Sequence, residues 1–261
     1  MKAVAVHEDV LVVTSSLWQT NAVAIRAGSE AMLVDSPYFP DELELLPELL
    51  RQSGFEPAGL LATHADWDHL LGRLALPGAA LGVAESTAVR LRAEPGVAQR
   101  ELRKADNEYY VARERPLSLG TYQSLPVPGK LELGGEELEL HPAEGHTDDG
   151  MAIFAPWCAT LICGDYLSDV ELPTWTDKEL YRATLERLRP LVEHAEWIVP
   201  GHGSPMASAQ AQAVLREDVA YLEALRDSGE AAELPLARRS QAQRGIHALN
   251  VSLVSGAGGE E

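Results

Sequence analysis

The run at residues 64–69 is the feature that most constrains the fold, because it places four potential metal ligands within six residues. These are His64, Asp66, Asp68 and His69. The apolar run just before them, residues 59–63, is short enough to be a buried strand that delivers His64 at its end. An extended backbone would then place His64, Asp66 and Asp68 on one side, and His69 would turn back as a helix begins. The sequence therefore predicts a metal site where this strand passes into a helix.

Three further candidate ligands lie where later strands are expected to end: His146, Asp165 and His202. Each lies next to a glycine, which lets the backbone turn sharply at the site. Histidine nitrogens and carboxylate oxygens are common ligands of divalent metals. Each of these residues alone is a weak signal, but together with residues 64–69 they predict a single metal centre.

This order of ligands resembles the metallo-β-lactamase superfamily, which is known by the motif H-x-H-x-D-H followed by single His, Asp and His residues in loops at strand ends. The resemblance spans nearly the whole chain. Asp35, which follows Leu33 and Val34, resembles the early Val-Asp element that lies near the metals in that family. The chain departs from the pattern at Asp66, where most of the family has histidine, so it is a variant with H-x-D-x-D-H.

The resemblance implies an α/β (α+β) fold, the four-layer αββα sandwich of metallo-β-lactamases, in a single domain over residues 1–261. It also implies a centre of two metal ions held by histidines and carboxylates. One metal would be bound by His64, Asp66 and His146, the second by Asp68, His69 and His202, and Asp165 would bridge the two.

Two divalent ions are the implied cofactor, with zinc as the expected metal. A carboxylate at Asp66 makes its site harder and more anionic, so manganese and iron are alternatives. Two metals about 3.5–4 Å apart can share a water and lower its pKa towards about 7. The resemblance therefore implies a dimetal-dependent hydrolase that uses a metal-bridging hydroxide on a small ester, thioester, lactone or related substrate. Asp68 and Asp165 would be the catalytic residues, because they would orient that hydroxide.

Other functions stay open. Glyoxalase II-like thioesterase activity is one hydrolytic candidate, although the chain shows no clear equivalent of that enzyme's glutathione-binding helical domain. An iron-dependent oxidoreductase of the same fold is an alternative, either flavodiiron-like, since those proteins have glutamate at the position of Asp66, or persulfide dioxygenase-like. However, 261 residues leave no room for the flavodoxin-like domain of flavodiiron proteins. An inactive metal-binding scaffold is the non-catalytic alternative, and it predicts a missing ligand where none is missing.

Hydrophobic patterning predicts blocks of strands and helices, which fits two packed sheets with helices outside them. Strand-like runs occupy residues 10–13, 22–25, 31–34, 59–63, 137–141, 151–155, 160–163 and 197–199, the first three as an antiparallel meander. Helical patterns occupy residues 40–53, 69–76, 85–92, 177–191 and 208–226. We expect the stretch at about 97–130 to be less regular and to form a lid or insertion, and the C-terminal segment from about 206 to be helical.

The charge of the chain limits its partners. A net charge of −19 and a sequence pI near 4.8 argue against nucleic acid, because binding a phosphate backbone depends on Lys and Arg. No stretch approaches the roughly 20 apolar residues of a membrane span, and the N-terminal residues become charged before a signal-peptide core could develop. We therefore expect a cytoplasmic protein with a small-molecule substrate and neither a nucleic acid nor a membrane as partner. The oligomeric state stays open, with a homodimer as one option.

Several residues outside the motif have simpler interpretations. Cys158 and Cys163 lie in an apolar, strand-like stretch and are expected to be buried thiols. Three tyrosines of the 97–130 stretch could line the pocket or anchor the chain: Tyr109, Tyr110 and Tyr122. His247 could reach the rim of the pocket, and the composition of residues 256–261 indicates disorder.

Overall fold

Two β-sheets form the centre of the computed structural model, which describes residues 1–256. The strands of the first sheet, in spatial order, are β1 (Lys2–His7), β2 (Val10–Thr14), β3 (Asn21–Ala27), β4 (Glu30–Asp35), β5 (Pro57–Ala62), β6 (Ala80–Ala84) and β7 (Gln123–Leu125). Strands β1 to β4 pair antiparallel, and the pairs from β4 to β7 are parallel.

The second sheet contains the strands β8 (Gly129–Leu133), β9 (Glu136–Pro142), β10 (Met151–Ala155), β11 (Thr160–Ile162), β12 (Trp197–Val199) and β13 (Met206–Ala207). Neighbouring strands within this sheet pair antiparallel, except β11 and β12, which are parallel. The helices are α1 (Pro40–Gln52), α2 (Gly72–Ala75), α3 (Glu85–Ala93), α4 (Val97–Glu108), α5 (Lys178–His194), α6 (Ser208–Ser228) and α7 (Gln241–Gly256).

Apolar side chains on both faces of the first sheet create two layers of core. In β2, Val10 and Val12 contribute to the cluster between the sheets, together with Leu140 and Ile153 of the second sheet. Leu11 and Val13 contribute to a different cluster, because successive side chains of a strand point to opposite faces. This second cluster includes residues of α1, α3 and α4.

The outer face of the second sheet is covered in the same way. Leu161 and Ile198 of this sheet pack with Leu188 of α5 and Leu222 of α6. The layers therefore run helix, sheet, sheet, helix. The predicted four-layer αββα sandwich is confirmed.

The expectation of an irregular stretch at about 97–130 was wrong for its first part, which forms α4. Its buried residues Ala98, Leu102 and Ala105 recur at helical spacing, and Ala98 and Leu102 belong to the core cluster on the helix-covered face of the first sheet. The expected helix at residues 69–76 is only the single turn α2, which follows a 3₁₀ turn at Trp67–His69.

The sequence patterns also missed some strands, and β6 shows why. It is short and contains Gly82, whose lack of a side chain hides the strand pattern. A Cβ at this position would lie 2.9 Å from methyl groups of Leu61 and Leu125, so a larger residue would require these two leucine side chains to shift.

Two smaller expectations can be placed on this fold. Cys158 lies in a 3₁₀ turn, Pro156–Cys158, instead of a strand, but both cysteines are buried free thiols as predicted. The disorder expected at residues 256–261 falls, from residue 257 on, outside the described residues. Within residues 1–256, no helix is long and apolar enough to cross a membrane.

Candidate metal centre

Loops at one edge of the two sheets bring the predicted site residues together. In the first sheet, β4 and β5 are parallel, so Asp35 at the end of β4 lies beside Thr63 and His64 at the end of β5. In the second sheet, β11 and β12 are also parallel, and Asp165 and His202 follow their carboxyl ends. The ends of these two pairs of strands meet at one place on the sandwich.

The histidines of the predicted set use Nδ1 for an anchoring contact, which leaves Nε2 for the site. Nδ1 of His64 lies 3.1 Å from the hydroxyl oxygen of Thr63. Nδ1 of His69 lies 2.9 Å from Oδ2 of Asp35.

The other two histidines are anchored by backbone oxygens. Nδ1 of His146 lies 3.0 Å from the carbonyl oxygen of Thr174. Nδ1 of His202 lies 3.3 Å from the carbonyl oxygen of Trp18. The protein itself therefore orients all four rings.

Asp165 lies between two pairs of histidines. Its Oδ1 is 3.1 Å from Nε2 of His69 and 3.4 Å from Nε2 of His202. Its Oδ2 is 3.2 Å from Nε2 of His146 and 3.9 Å from Nε2 of His64. Each carboxylate oxygen therefore faces a different half of the centre.

Asp66 and Asp68 each lie close to two of the histidines, one aspartate in each half of the centre. Oδ2 of Asp66 is 3.7 Å from Nε2 of both His64 and His146. Oδ2 of Asp68 is 3.3 Å from Nε2 of His202 and 3.8 Å from Nε2 of His69. The residues thus form two triads, one of His64, Asp66 and His146 and one of Asp68, His69 and His202. Within each triad, the candidate ligand atoms lie within 4.8 Å of one another.

Several of these atoms lack any hydrogen bond in the described part of the chain. Nε2 of His64, Nε2 of His69 and Oδ1 of Asp165 are all buried and unpaired in this sense. A buried polar atom without a partner costs about 1–3 kcal/mol. Metal ions would satisfy these atoms, and imidazole with carboxylate is a donor set that suits zinc, iron and manganese. The residues present therefore fit a pair of divalent cations.

The pKa values in the centre also indicate that its carboxylates favour positive charge nearby. Burial alone would lower the pKa of His69, but the carboxylates of Asp165 and Asp35 raise it well above its usual value. The pKa of His202 is raised in the same way, against the effect of burial, by Asp165 and Glu171. Conversely, burial would raise the pKa of Asp165, but His202 and His69 hold it well below its usual range. Divalent cations can supply the positive charge that protons supply in their absence.

Asp35 lies behind His69 and not among the triads. Its carboxylate also accepts hydrogen bonds from the backbone N–H and the hydroxyl of Thr63, both at 2.8 Å. Asp35 therefore joins the strand end that carries His64 to the ring of His69.

Two charged residues near Asp66 had no signal in the sequence patterns. Arg90 of α3 forms an ion pair with Oδ1 of Asp66 at 2.8 Å and with Oδ1 of Asp149 at 2.7 Å. Asp149 also accepts the backbone N–H of Ala65 through Oδ2 at 2.9 Å. An arginine on a helix and an aspartate in a loop are ordinary residues in a sequence, so only their juxtaposition is informative.

A cavity of about 330 Å³ opens beside Asp66. Its walls include Trp67, Arg90, Leu91 and Val97, so the start of the 97–130 stretch borders it. A cavity of this size lies at the lower end of the range for small-molecule sites, about 300–1,000 Å³.

Aromatic residues form one side of the centre. Trp18, which is 41% exposed, lies with its ring centroid 5.7 Å from that of Trp67 and 5.9 Å from that of Tyr109. Trp67 also packs against Tyr38 at 5.4 Å. Trp18 itself had no signal in the sequence.

The other tyrosines and histidines that the sequence singled out lie away from the triads. Tyr110 is 96% exposed, whereas Tyr122 packs against the core beside the first sheet. His247 of α7 lies 3.0 Å from the hydroxyl of Tyr221, in a contact between α6 and α7. His247 belongs to none of the ligand clusters of the described chain.

Known proteins share this architecture. Residues 16–202 match the family model of the metallo-β-lactamase superfamily. Among solved structures, a metallo-β-lactamase family protein from Thermus thermophilus is 20% identical with a TM-score of 0.65, and the match covers 97% of this chain and 96% of that protein. DIM-1 metallo-β-lactamase is 20% identical with a TM-score of 0.60, over 82% of this chain and 94% of that one. A metallo-β-lactamase from Pontibacter korlensis is 17% identical with a TM-score of 0.58, and the match covers 82% of this chain and 98% of that protein.

At these identities the solved structures support the fold alone. The family model, however, spans well over half of the sequence. The chain therefore belongs to the metallo-β-lactamase superfamily.

Proposed function

We propose that this protein is a metal-dependent hydrolase with two divalent ions, which acts on a small ester, thioester, lactone or related substrate. The observation that carries the proposal is the position of Asp165, whose two oxygens face different pairs of histidines. A carboxylate in that position is suited to bridging two cations.

The ligand assignment follows the two triads. His64, Asp66 and His146 would hold one ion, and Asp68, His69 and His202 would hold the other. The set is complete, which favours a working centre over an inactive scaffold. Zinc is the expected metal, with manganese and iron as alternatives because Asp66 is a carboxylate.

When bound, a pair of divalent ions lowers the pKa of a shared water towards about 7 and polarises the oxygen of a bound carbonyl or phosphoryl group. The chain's own residues contribute orientation. Asp68 is buried and Asp165 is half-buried, and the lowered pKa values of both carboxyl groups keep them ionised. They accept hydrogen bonds from an attacking water and so fix its direction. The anchored rings keep the ligand atoms in place without rearrangement during the reaction.

The substrate would lie in the cavity beside Asp66. Its volume, about 330 Å³, suits a small molecule. The apolar surfaces of Trp67, Leu91 and Val97 would cover the part of the substrate that does not react.

The test is to purify the protein, measure its metals by elemental analysis, and assay it against a panel of esters, thioesters, lactones and phosphodiesters. We expect two zinc or manganese ions per chain and hydrolysis of at least one class of substrate. Asp165→Asn should abolish the activity, whereas Asp227→Asn, which alters an exposed aspartate of α6, should leave it unchanged. Protein with two metals that cleaves none of the panel would contradict the proposal, and bound iron with visible absorbance would instead favour an oxidoreductase.

A further inference from the structure

Arg90 lies at the edge of the candidate metal centre without being a ligand. It is carried by α3, which begins directly after β6. Its guanidinium places one terminal nitrogen 2.8 Å from Oδ1 of Asp66 and the other 2.7 Å from Oδ1 of Asp149. The side chain is 22% exposed, so this contact is partly shielded from water.

Because of the ion pair with Arg90, the two oxygens of the Asp66 carboxylate have different partners. Oδ1 is occupied by the guanidinium, whereas Oδ2 lies 3.7 Å from Nε2 of both His64 and His146. A free carboxylate can rotate and can bind a metal through one oxygen or through both. With Oδ1 held, only Oδ2 is presented to the two histidines.

Asp149 extends this arrangement to the backbone. It is 1% exposed, and its Oδ2 accepts the N–H of Ala65 at 2.9 Å. Asp149 lies three residues after His146 in the same loop. Arg90 and Asp149 together therefore join the segment that carries Asp66 to the loop that carries His146.

We propose that Arg90 is a positioning residue of the metal centre, which holds Asp66 as a ligand through Oδ2 alone and balances its negative charge. The inference rests on the proposed function, since it requires that His64, Asp66 and His146 bind a metal. A guanidinium suits the role because its planar fork engages two carboxylates at once and stays charged at any physiological pH. A neutral imidazole in place of Asp66 would need no such partner.

The experiment compares Arg90→Met with Arg92→Met, a matched control in which an exposed arginine of the same helix is changed. Zn²⁺ affinities of both metal sites are measured by competition with a chromophoric chelator, and the visible spectrum of the Co²⁺-loaded protein is recorded. In Arg90→Met, we expect the Zn²⁺ affinity of the site that contains Asp66 to fall about 10–100-fold, as is usual when an outer partner of a ligand is lost. The affinity of the site that contains Asp68 should stay within about threefold of the wild-type value. The Co²⁺ spectrum should change as well. Arg92→Met should match the wild type.

A conservative variant separates positioning from bulk charge. Arg90→Lys keeps the charge, but its ammonium group cannot engage both carboxylates as a fork. We expect it to recover part of the lost affinity and to remain weaker than the wild type. Full recovery would overturn the role of the fork.

A double mutant tests whether Arg90 acts through Asp66. Asp66→His removes the oxygen that Arg90 holds, so Arg90→Met should then weaken the site at least about fivefold less than it does beside Asp66. Equal effects in the two backgrounds would overturn the inference.

Two further results would also overturn it. One is an Arg90→Met protein whose metal affinities and Co²⁺ spectrum are unchanged. The other is an equal loss at both sites together with a lower melting temperature of the metal-free protein, which would indicate a purely structural role. Failure of the proposed function is distinct, because it is measured on the wild type, which would then either bind no pair of metals or bind two metals and cleave none of the substrates.

Discussion

Asp35 places its Oδ2 2.9 Å from Nδ1 of His69, and both side chains are almost completely buried. This contact requires a proton on Nδ1 of the neutral ring, so the lone pair lies on Nε2, which faces Asp165. The carboxylate therefore selects the tautomer of His69 that can bind a metal.

Asp35→Ala tests this relationship. We expect the metal affinity of the His69 site to fall about 10–100-fold, because the ring loses its orienting partner. We also expect a loss of about 1–3 kcal/mol in the free energy of unfolding, because the buried N–H of Thr63 loses its acceptor. Chelator competition and urea unfolding measure the two effects. An unchanged metal affinity would show that Asp35 has only a structural role, and Asp227→Ala serves as the surface control.

The order of strand-like and helical segments was sufficient to indicate two packed sheets with helices outside them, because it depends on local signals, and the resemblance of the ligand motif implied the four-layer sandwich. The sequence was also sufficient to bring seven candidate ligands to one site, because each of them follows or precedes a strand or turn that could be read directly. The first part of the 97–130 stretch was misjudged. The helical spacing of Ala98, Leu102 and Ala105 is present there, but the surrounding charged residues mask it.

The residues around the ligands could not be predicted in this way. Arg90, Asp149 and Trp18 belong to a helix and two loops that are far apart in the chain, and no spacing rule connects them. Their roles depend on tertiary contacts, which a pattern of hydrophobic residues does not specify. Asp66, by contrast, lies within the run at residues 64–69, so the sequence alone makes it a candidate ligand.

Asp66→Ala tests whether this residue is a ligand. We expect the purified variant to retain about one metal ion instead of two, because the first site would keep only its two histidines and a share of Asp165. Hydrolytic activity should fall about 100-fold or more, since chemistry that depends on a two-metal clamp fails with one metal. Elemental analysis and the substrate panel measure these changes. Unchanged stoichiometry and activity would remove Asp66 from the ligand set.

The histidines of the centre predict how metal-free protein responds to pH. The pKa values of His69, His146 and His202 are raised above the ordinary histidine value. Protonation of these residues in the folded state therefore contributes stability, which is fully present below the ordinary histidine pKa, about 6.5, and is lost as pH rises through the folded value. For His146, where burial opposes the rise and Asp165 causes it, that value is about 10. We therefore expect the melting temperature of chelator-treated protein to fall between about pH 7 and pH 10.

Metal-loaded protein should behave differently, because metals bind the deprotonated ligands. The stabilisation by Zn²⁺, measured as the difference in melting temperature with and without the metal, should increase over the same pH range. His146→Gln removes one of the titrating groups and should flatten the curve of the metal-free protein. A metal-free curve that is already flat in the wild type would contradict the charge balance described for this centre.

The buried ion pair between Arg238 and Asp218 connects the C-terminal segment to the chain near the site, and its removal should destabilise the protein. Both side chains are 1% exposed and form an ion pair, and Arg238 also donates to the carbonyl oxygen of Glu171 at 2.9 Å, in the segment that follows Asp165. Removing one partner of a buried ion pair leaves an uncompensated charge, so Arg238→Met should lower the free energy of unfolding by about 3–5 kcal/mol. Arg239→Met, at an exposed neighbour, should change it by less than about 0.5 kcal/mol. Urea unfolding measures both, and an Arg238→Met protein as stable as the control would show that the segment is not fixed to the site through this pair.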